Sequence, residues 1–288
     1  MTNDNDVVIQ AWNTVLFDKF CRFKHLLTDG VSAHSEAALE RHRYPKGARV
    51  LDVGCGFGDS TRAADCRARG IDRQGHRRRL RRELRCSRGA GRETQAIDNA
   101  SFFAADVQSE DLRGPYDFAF SRFGTMFFML PGAAMRNIRK ALKPGGDLTM
   151  IVWRRREENP WLYEAELRVR DIVSVVAHDD TDQVHCGPGP FSMAGPDMVS
   201  TMLRGAGYRD ISFERFDADI CIGKDVDEAI EFAMALGPAG EIIRLAGEEG
   251  ETRKRDVAAA LRDALSPYAR DTRVWAPSST WFVSARNP

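Results

Sequence analysis

This 288-residue sequence predicts an α/β fold, a parallel sheet with helices on both faces, and three observations carry that expectation. Short apolar strands alternate with helical patterns from Ala48 to Trp153, the order that builds βαβ units. The first strand runs into Gly54-Cys55-Gly56-Phe57-Gly58, a turn that lets backbone approach a ligand with no Cβ in the way. No apolar run reaches the roughly 18 residues of a membrane span.

Taken in order, residues 8–29 place Ile9, Trp12, Leu16, Phe20, Phe23 and Leu27 at helical spacing. Ser35–Arg43 reads as a second helix with Ser35 as its N-cap. These helices make residues 1–44 a helical cap on a main domain of residues 45–288. Pro45-Lys46-Gly47 turns the chain into the strand Ala48–Val53. Ser101–Val107 and Tyr116–Ser121 read as strands and Gly132–Leu142 as a helix. Lys143-Pro144-Gly145-Gly146 stops that helix before the strand Asp147–Trp153. Further on, Trp161–Val176, Asp197–Ala206, Val226–Leu236 and Asp256–Ala264 are helical in pattern, and Ile211–Ile222 and Thr280–Ala285 read as strands. A helical insertion before the last strand is the economical reading.

The 42 basic and 42 acidic groups cancel, yet the balance is uneven. Residues 62–92 hold twelve arginines against three acids, a balance of +9 that leaves −9 for the remainder. Six scattered cysteines (Cys21, Cys55, Cys66, Cys86, Cys186, Cys221) show no CxxC or Cys/His ligand spacing. That usage suits free thiols in a reducing cytosol, and the polar start, Met1 to Asp6, does not look like a secretory signal. The expected location is cytoplasmic.

The segment Val50-Leu51-Asp52-Val53-Gly54-Cys55-Gly56-Phe57-Gly58 is the strongest local signal. A dinucleotide site prefers Gly-x-Gly-x-x-Gly, with the third glycine opening a helix beneath a pyrophosphate. Here Asp59 holds that place, and an anion beside a diphosphate is unfavourable. Asp52 inside the strand also suits a cationic ligand better.

These residues resemble motif I of the class I S-adenosylmethionine-dependent methyltransferases. Later features follow the order of that family: Ala105-Asp106-Val107, then Tyr116–Gly124, then Leu142-Lys143-Pro144-Gly145-Gly146. The resemblance covers roughly residues 45–153 and is closest to small-molecule enzymes of the quinone-biosynthesis type. It implies a Rossmann-like seven-stranded sheet and S-adenosylmethionine as cofactor. It also implies a cofactor site built from Asp52, Gly54, Cys55, Gly56, Gly58, Asp106, Val107 and Ser121. Asp52 would orient the turn and the cofactor's ammonium end, Gly54 and Gly56 would leave room for methionine and ribose, and Asp106 with the Val107 amide would meet adenine.

Arg122, Phe123, Met126 and Trp153 lie at or after the carboxyl ends of two strands, where open α/β sheets bind ligands. They are the candidate contacts to a small, fairly apolar acceptor, and residues 154–206 and 224–275 are the substrate-side insertions. His185, beside Gly187-Pro188-Gly189-Pro190, is a further substrate-side candidate. His178, Asp179, Asp180, Asp182, His185 and Cys186 match no metal-ligand spacing, so no metal is expected. No catalytic acid or base is singled out.

Residues 61–95 depart from the family pattern. A second strand ending in a ribose-binding acid belongs there, and Asp72 stands about the right distance after Asp52, but no apolar strand precedes it. A nucleic-acid patch is disfavoured because residues 62–92 contain no aromatic for stacking. A solvated helix over His76–Cys86 has only Leu80 and Leu84 as an apolar stripe. If the segment is solvated or replaced, the chain could be a methyltransferase-like protein with impaired cofactor binding. The third reading is translation out of frame. CGN arginine codons read one nucleotide later become GNN codons for Val, Ala, Asp, Glu and Gly, and a permitted codon choice for Ile71 to Arg85 then spells an apolar strand with its acid. The gene across residues 60–95, read in the alternate frame, is therefore expected to encode an apolar strand ending in Asp or Glu. Polar or stop codons there would overturn this reading.

Overall fold

The computed structural model describes residues 15–42, 44–61, 100–173 and 188–288. Its strands are β1 (Val50–Asp52), β2 (Tyr116–Arg122), β3 (Leu142–Trp153), β4 (Arg209–Gly223), β5 (Ala269–Arg270) and β6 (Arg273–Arg286). The helices before β1 are α1 (Val15–Arg22), α2 (Lys24–Thr28) and α3 (Ser32–Arg41). Then come α4 (Pro131–Ala141), α5 (Pro160–Arg170) and α6 (Pro196–Gly205). The last four are α7 (Val226–Ala235), α8 (Pro238–Leu245), α9 (Glu248–Thr252) and α10 (Lys254–Leu265).

The strands form one mixed sheet in the order β1-β2-β3-β6-β4, with β5 paired to β6. β1, β2 and β3 run parallel, and β6 lies antiparallel to both β3 and β4. Seven strands are expected and six are found among the described residues. Ser101–Val107 is a correction: residues 101–106 form no ladder and 107–109 form a turn. A strand exists only by pairing, and no described strand lies beside this segment. The arginine-rich residues 62–92, Asp72 among them, lie outside the described residues, as do His178–Cys186.

The carboxyl half of β3, Leu148–Trp153, is apolar but for Thr149 and buried on both faces up to Val152, as a strand covered by other elements on each side must be. Leu148, Met150 and Val152 of β3 point into one core with Met135 and Ile138 of α4 and Leu203 of α6. Ile151 points the other way, packing with Phe120, Phe282 and Ala38 of α3. Pro131 and Pro196 each stand in the first turn of their helices, where the missing N–H costs nothing. The expected stop at residues 143–146 falls instead within β3, whose pairing with β2 shifts register there.

Beyond the end of β3, β4 and β6 continue as a two-stranded ribbon that carries a second core. Ile220, Ile222, Val274 and Ala276 pack there against Val169 of α5, Ala233 of α7, Ile242 of α8 and Leu261 of α10. α8 and α9 have no counterpart in the sequence reading.

The amino-terminal helices dock on this ribbon. The Cys221 amide donates to the Gly30 carbonyl at 3.2 Å, and a Cβ on Gly30 would stand 2.5 Å from the Cys221 oxygen. Lys19 Nζ donates to the Ala235 carbonyl at 2.8 Å. α3 begins at Ser32, with Val31 at the cap. Ser35 is therefore no N-cap; it sits inside the helix and donates to the Ser32 carbonyl.

His34 of α3 is wholly buried among Phe123, Trp153 and Phe216, with ring centroids 5.4, 6.3 and 5.3 Å away. Ser278 Oγ lies 3.0 Å from Nε2 and donates to the Ala218 carbonyl, so the hydroxyl accepts from a neutral imidazole. Burial pulls the His34 pKa from 6.5 to about 4. Above pH 6.5 both folded and unfolded chains carry it neutral. As pH falls from 6.5 towards 4 only the unfolded chain takes up the proton, removing up to roughly 3 kcal/mol of stability. His34→Phe is expected to flatten the fall in unfolding midpoint over that window relative to the parent chain, measured by urea titration at several pH values. An unchanged slope would show that His34 is not its source.

Candidate functional site

β1 brings Asp52 to the sheet's carboxyl edge, and the Val53 amide adds one more bond to the ladder, donating to Phe120 at 2.8 Å. Three left-handed glycines follow: Gly54 (φ +70°), Gly56 (+53°) and Gly58 (+73°). A Cβ on Gly54 would stand 3.1 Å from the Gly124 Cα, in the turn after β2. A Cβ on Gly56 would meet no atom of the described residues within 4 Å, so among those residues nothing covers this peptide. Gly58 lies under the Phe102 ring, 3.0 Å from where its Cβ would be. Ser121, fully buried, donates from Oγ to the Val53 carbonyl at 2.8 Å and ties the two turns together.

Charge is concentrated beneath this cradle. Asp52 Oδ2 accepts from Ser60 Oγ at 2.8 Å and Thr61 Oγ1 at 2.5 Å. Its Oδ1 is buried with no hydrogen-bond partner among the described residues. Burial pushes the Asp52 pKa up, against the two hydroxyls and the Arg122 charge that pull it down. Arg122 pairs with Asp59 Oδ2 at 2.6 Å and donates to the Leu27 carbonyl and Ser35 Oγ, both at 3.2 Å. Burial pushes the Cys55 thiol up to about 12, so it stays protonated and is no nucleophile.

The sequence-derived candidates separate here. Asp52, Gly54, Cys55, Gly56, Gly58 and Ser121 come together at one end of β1 and β2. Phe102 brings residues 100–107 against the same turn. Asp106 points its carboxylate at its own turn, accepting from the Gln108 amide at 3.0 Å and Ser109 Oγ at 2.8 Å. The Val107 carbonyl accepts from Asn137 Nδ2.

Among the acceptor-side candidates, Phe123 has φ +56°, an uncommon conformation for a bulky residue. Its ring stacks on Trp153 at 4.6 Å and 13°. The Arg122 guanidinium is turned inward to Asp59, Leu27 and Ser35, and the Met126 side chain is 2% exposed within the main core. His185 lies outside the described residues. Among those residues no group of three or more His, Cys, Asp or Glu is placed to hold a metal. No described helix is long and apolar enough to cross a membrane.

Asp59, Phe102 and His34 were not singled out in sequence. Only Asp59 left a trace there, as the acid standing where a dinucleotide site needs glycine. Two depressions, of about 290 and 470 Å³, lie at the sheet edge where β2 and β3 begin and β6 ends, lined by residues such as His42 and Asp147, and Lys46 and Lys143. Neither touches the glycine turn.

These residues fit S-adenosylmethionine. The unpartnered Asp52 oxygen can receive an ammonium, and Gly54 and Gly56 leave the backbone bare on the side where the ligand must lie. The acids at the turn suit a cationic sulfonium compound and repel a diphosphate.

Comparison with known proteins agrees. Residues 24–179 match a family model described as a methyltransferase domain. No curated protein matches the chain. A protein of Anabaena variabilis described as a methyltransferase from an antibiotic biosynthesis pathway shares the fold, with TM-score 0.52 and 12% identity over 88% of this chain and 96% of its own. A Bacillus halodurans structure, also described as a methyltransferase, gives TM-score 0.44 and 14% identity over 88% of this chain and 98% of its own. Haemonchus contortus phosphoethanolamine N-methyltransferase 2, solved with phosphomonomethylethanolamine and S-adenosylhomocysteine, gives 0.43 and 17% over 89% and 53%. The family model, spanning more than half of the sequence, places the chain with S-adenosylmethionine-dependent enzymes: it belongs to the methyltransferase-domain family.

Proposed function

We propose that this chain transfers the methyl group of S-adenosylmethionine to a small, fairly apolar metabolite. The observation that supports this most directly is the buried Asp52 Oδ1, which has no hydrogen-bond partner among the described residues, beside a glycine turn that those residues leave uncovered at Gly56. The stacked Phe123 and Trp153 at the ends of β2 and β3 support an apolar acceptor. The bound cofactor supplies a methyl group already electrophilic through its sulfonium, so the protein's task is alignment more than acid–base chemistry.

Each residue then has a physical task. Asp52 holds the turn through Ser60 and Thr61 and offers its free oxygen to the ammonium. Gly54 and Gly56 keep Cβ atoms out of the space needed by methionine and ribose, with Cys55 between them as a neutral thiol. Gly58 lets Phe102 close on the turn, and Ser121 holds the Val53 carbonyl so that the turn keeps its shape. Asp106 and the Val107 amide are assigned to adenine, with the Asp106 carboxylate placed by its own turn. Residues 1–44 act as a cap over a methyltransferase domain spanning 45–288, and the segments 154–206 and 224–275 enclose the acceptor side.

Calorimetry with S-adenosylhomocysteine, followed by labelled methyl transfer to a panel of small apolar acceptors, tests the reading. Absence of binding at millimolar ligand would sink it. Gly54→Ala forces a Cβ against Gly124 and a left-handed conformation on alanine. It is expected to weaken S-adenosylhomocysteine binding by about tenfold or more while circular dichroism stays native. Unchanged affinity would show that the turn does not contact the cofactor.

A further inference from the structure

β4 is the edge strand on the side of the sheet away from β1. Its pairing with β6 is regular from Ser212 to Cys221, with register shifts only at Arg209/Ser212 and Cys221/Gly223. Along such a strand the backbone groups of successive residues point alternately to either side. The Phe216 and Ala218 carbonyls face β6, where they accept from Thr280 Oγ1 and Ser278 Oγ at 2.8 and 2.7 Å. Phe213, Arg215, Asp217 and Asp219 therefore turn their N–H and C=O groups outward. Cys221, next in that series, shows the direction, since its amide leaves the sheet for the Gly30 carbonyl. Among the described residues no backbone bond engages the other four on that side.

Edges of this kind are commonly blunted by bulges, prolines or repelling charge. Between Ser212 and Cys221 this strand has no bulge and no proline, and its charges are of both signs. Its faces are occupied: Glu214 pairs with Arg41 of α3 at 2.8 Å on one, and Phe213 meets Trp281 edge-on on the other, with centroids 5.9 Å apart. Between those faces Arg215, Asp217 and Asp219 are exposed.

We propose that β4 is a self-pairing edge, joining β4 of a second copy of this chain antiparallel about a twofold axis at Phe216. That register sets Arg215 opposite Asp217 of the second copy, and Asp217 opposite the second copy's Arg215. Phe213 and Asp219 face each other in the same way, and each of these residues exchanges both backbone bonds with the one opposite. Neighbouring registers fail on charge. An axis at Arg215 sets two arginines face to face, one at Asp217 two aspartates and one at Glu214 two glutamates, and like charges directly opposite are destabilising. An axis between residues sets outward groups against inward ones and forms no ladder.

The two charged residues are prepared for this pairing. The Arg215 guanidinium lies 5.7 Å from the Trp281 ring centroid, and among the described residues no ion pair engages it. Asp217 is 61% exposed and holds Arg154 through Oδ1 at 2.7 Å, which leaves Oδ2 for a second guanidinium.

Sedimentation equilibrium of the full chain tests the proposal, and the parent is expected to dimerise below about 0.1 mM. Arg215→Asp and Asp217→Arg are each expected to weaken self-association by about tenfold or more, because the twofold applies every change twice. Circular dichroism should stay native. Mixed in equal amounts, the two variants are expected to dimerise with each other, since every cross-strand pair then joins opposite charges. Arg215→Pro removes one outward N–H without touching the β6 ladder; it is expected to weaken the dimer too, and serves if Asp217→Arg does not fold. A parent that stays monomeric at about 0.1 mM would overturn the proposal, as it would if this edge takes a strand of a different protein. A dimer that none of these variants weakens would place the interface elsewhere and overturn it. Folded, monomeric variants that fail to pair when mixed would overturn it as well.

Discussion

The contact between Gly54 and Gly124 is the constraint on which the rest of the site depends. Two turns, each leaving the carboxyl end of a neighbouring parallel strand, meet with no side chain between them. A single methyl group at Gly54 would fall 3.1 Å from the opposing Cα. The bare approach lets the β1 turn lie flat against the β2 turn while its other side stays open at Gly56. Ser121 keeps the arrangement in register through the Val53 carbonyl.

Those acids explain why the turn suits a cation. Asp52 has one oxygen satisfied by two hydroxyls and one buried without a partner among the described residues, a state a protein sustains where a ligand can complete it. Asp59 adds a second negative charge and Arg122 compensates it. The cradle carries fixed charges of both signs in close quarters, which favours a small charged ligand over bare solvent.

The amino-terminal helices and the helical layer are joined to this edge through few but specific contacts. Gly30 lets α2 and α3 approach the β4 backbone at Cys221, and Arg122 reaches from the sheet to Leu27 and Ser35. His34 fills the space between them as a neutral ring among aromatics, so the junction is apolar above and ionic beside the turn. The strained Phe123 backbone lies at the same junction, where sheet, cap and glycine turn converge.

Much of this was legible in the linear chain. The glycine turn, Asp52, the strands at Tyr116–Ser121 and Asp147–Trp153 and most helices could be read locally, because periodicity, helix stops and left-handed glycines are properties of a few adjacent residues. Ser101–Val107 shows where such reading stops: its pattern is that of a strand, but a strand needs a neighbour, and the described sheet offers none. Strand position puts Arg122 and Met126 at or after the carboxyl end of β2, yet the direction each side chain takes is decided by tertiary partners. Asp59 waits 63 residues away for Arg122, and the core takes up Met126. The sequence by itself determined that a glycine-lined, acid-bearing turn follows the first strand. Only the tertiary structure decided which charges pair across it, because pairing depends on distances between elements that no local pattern encodes.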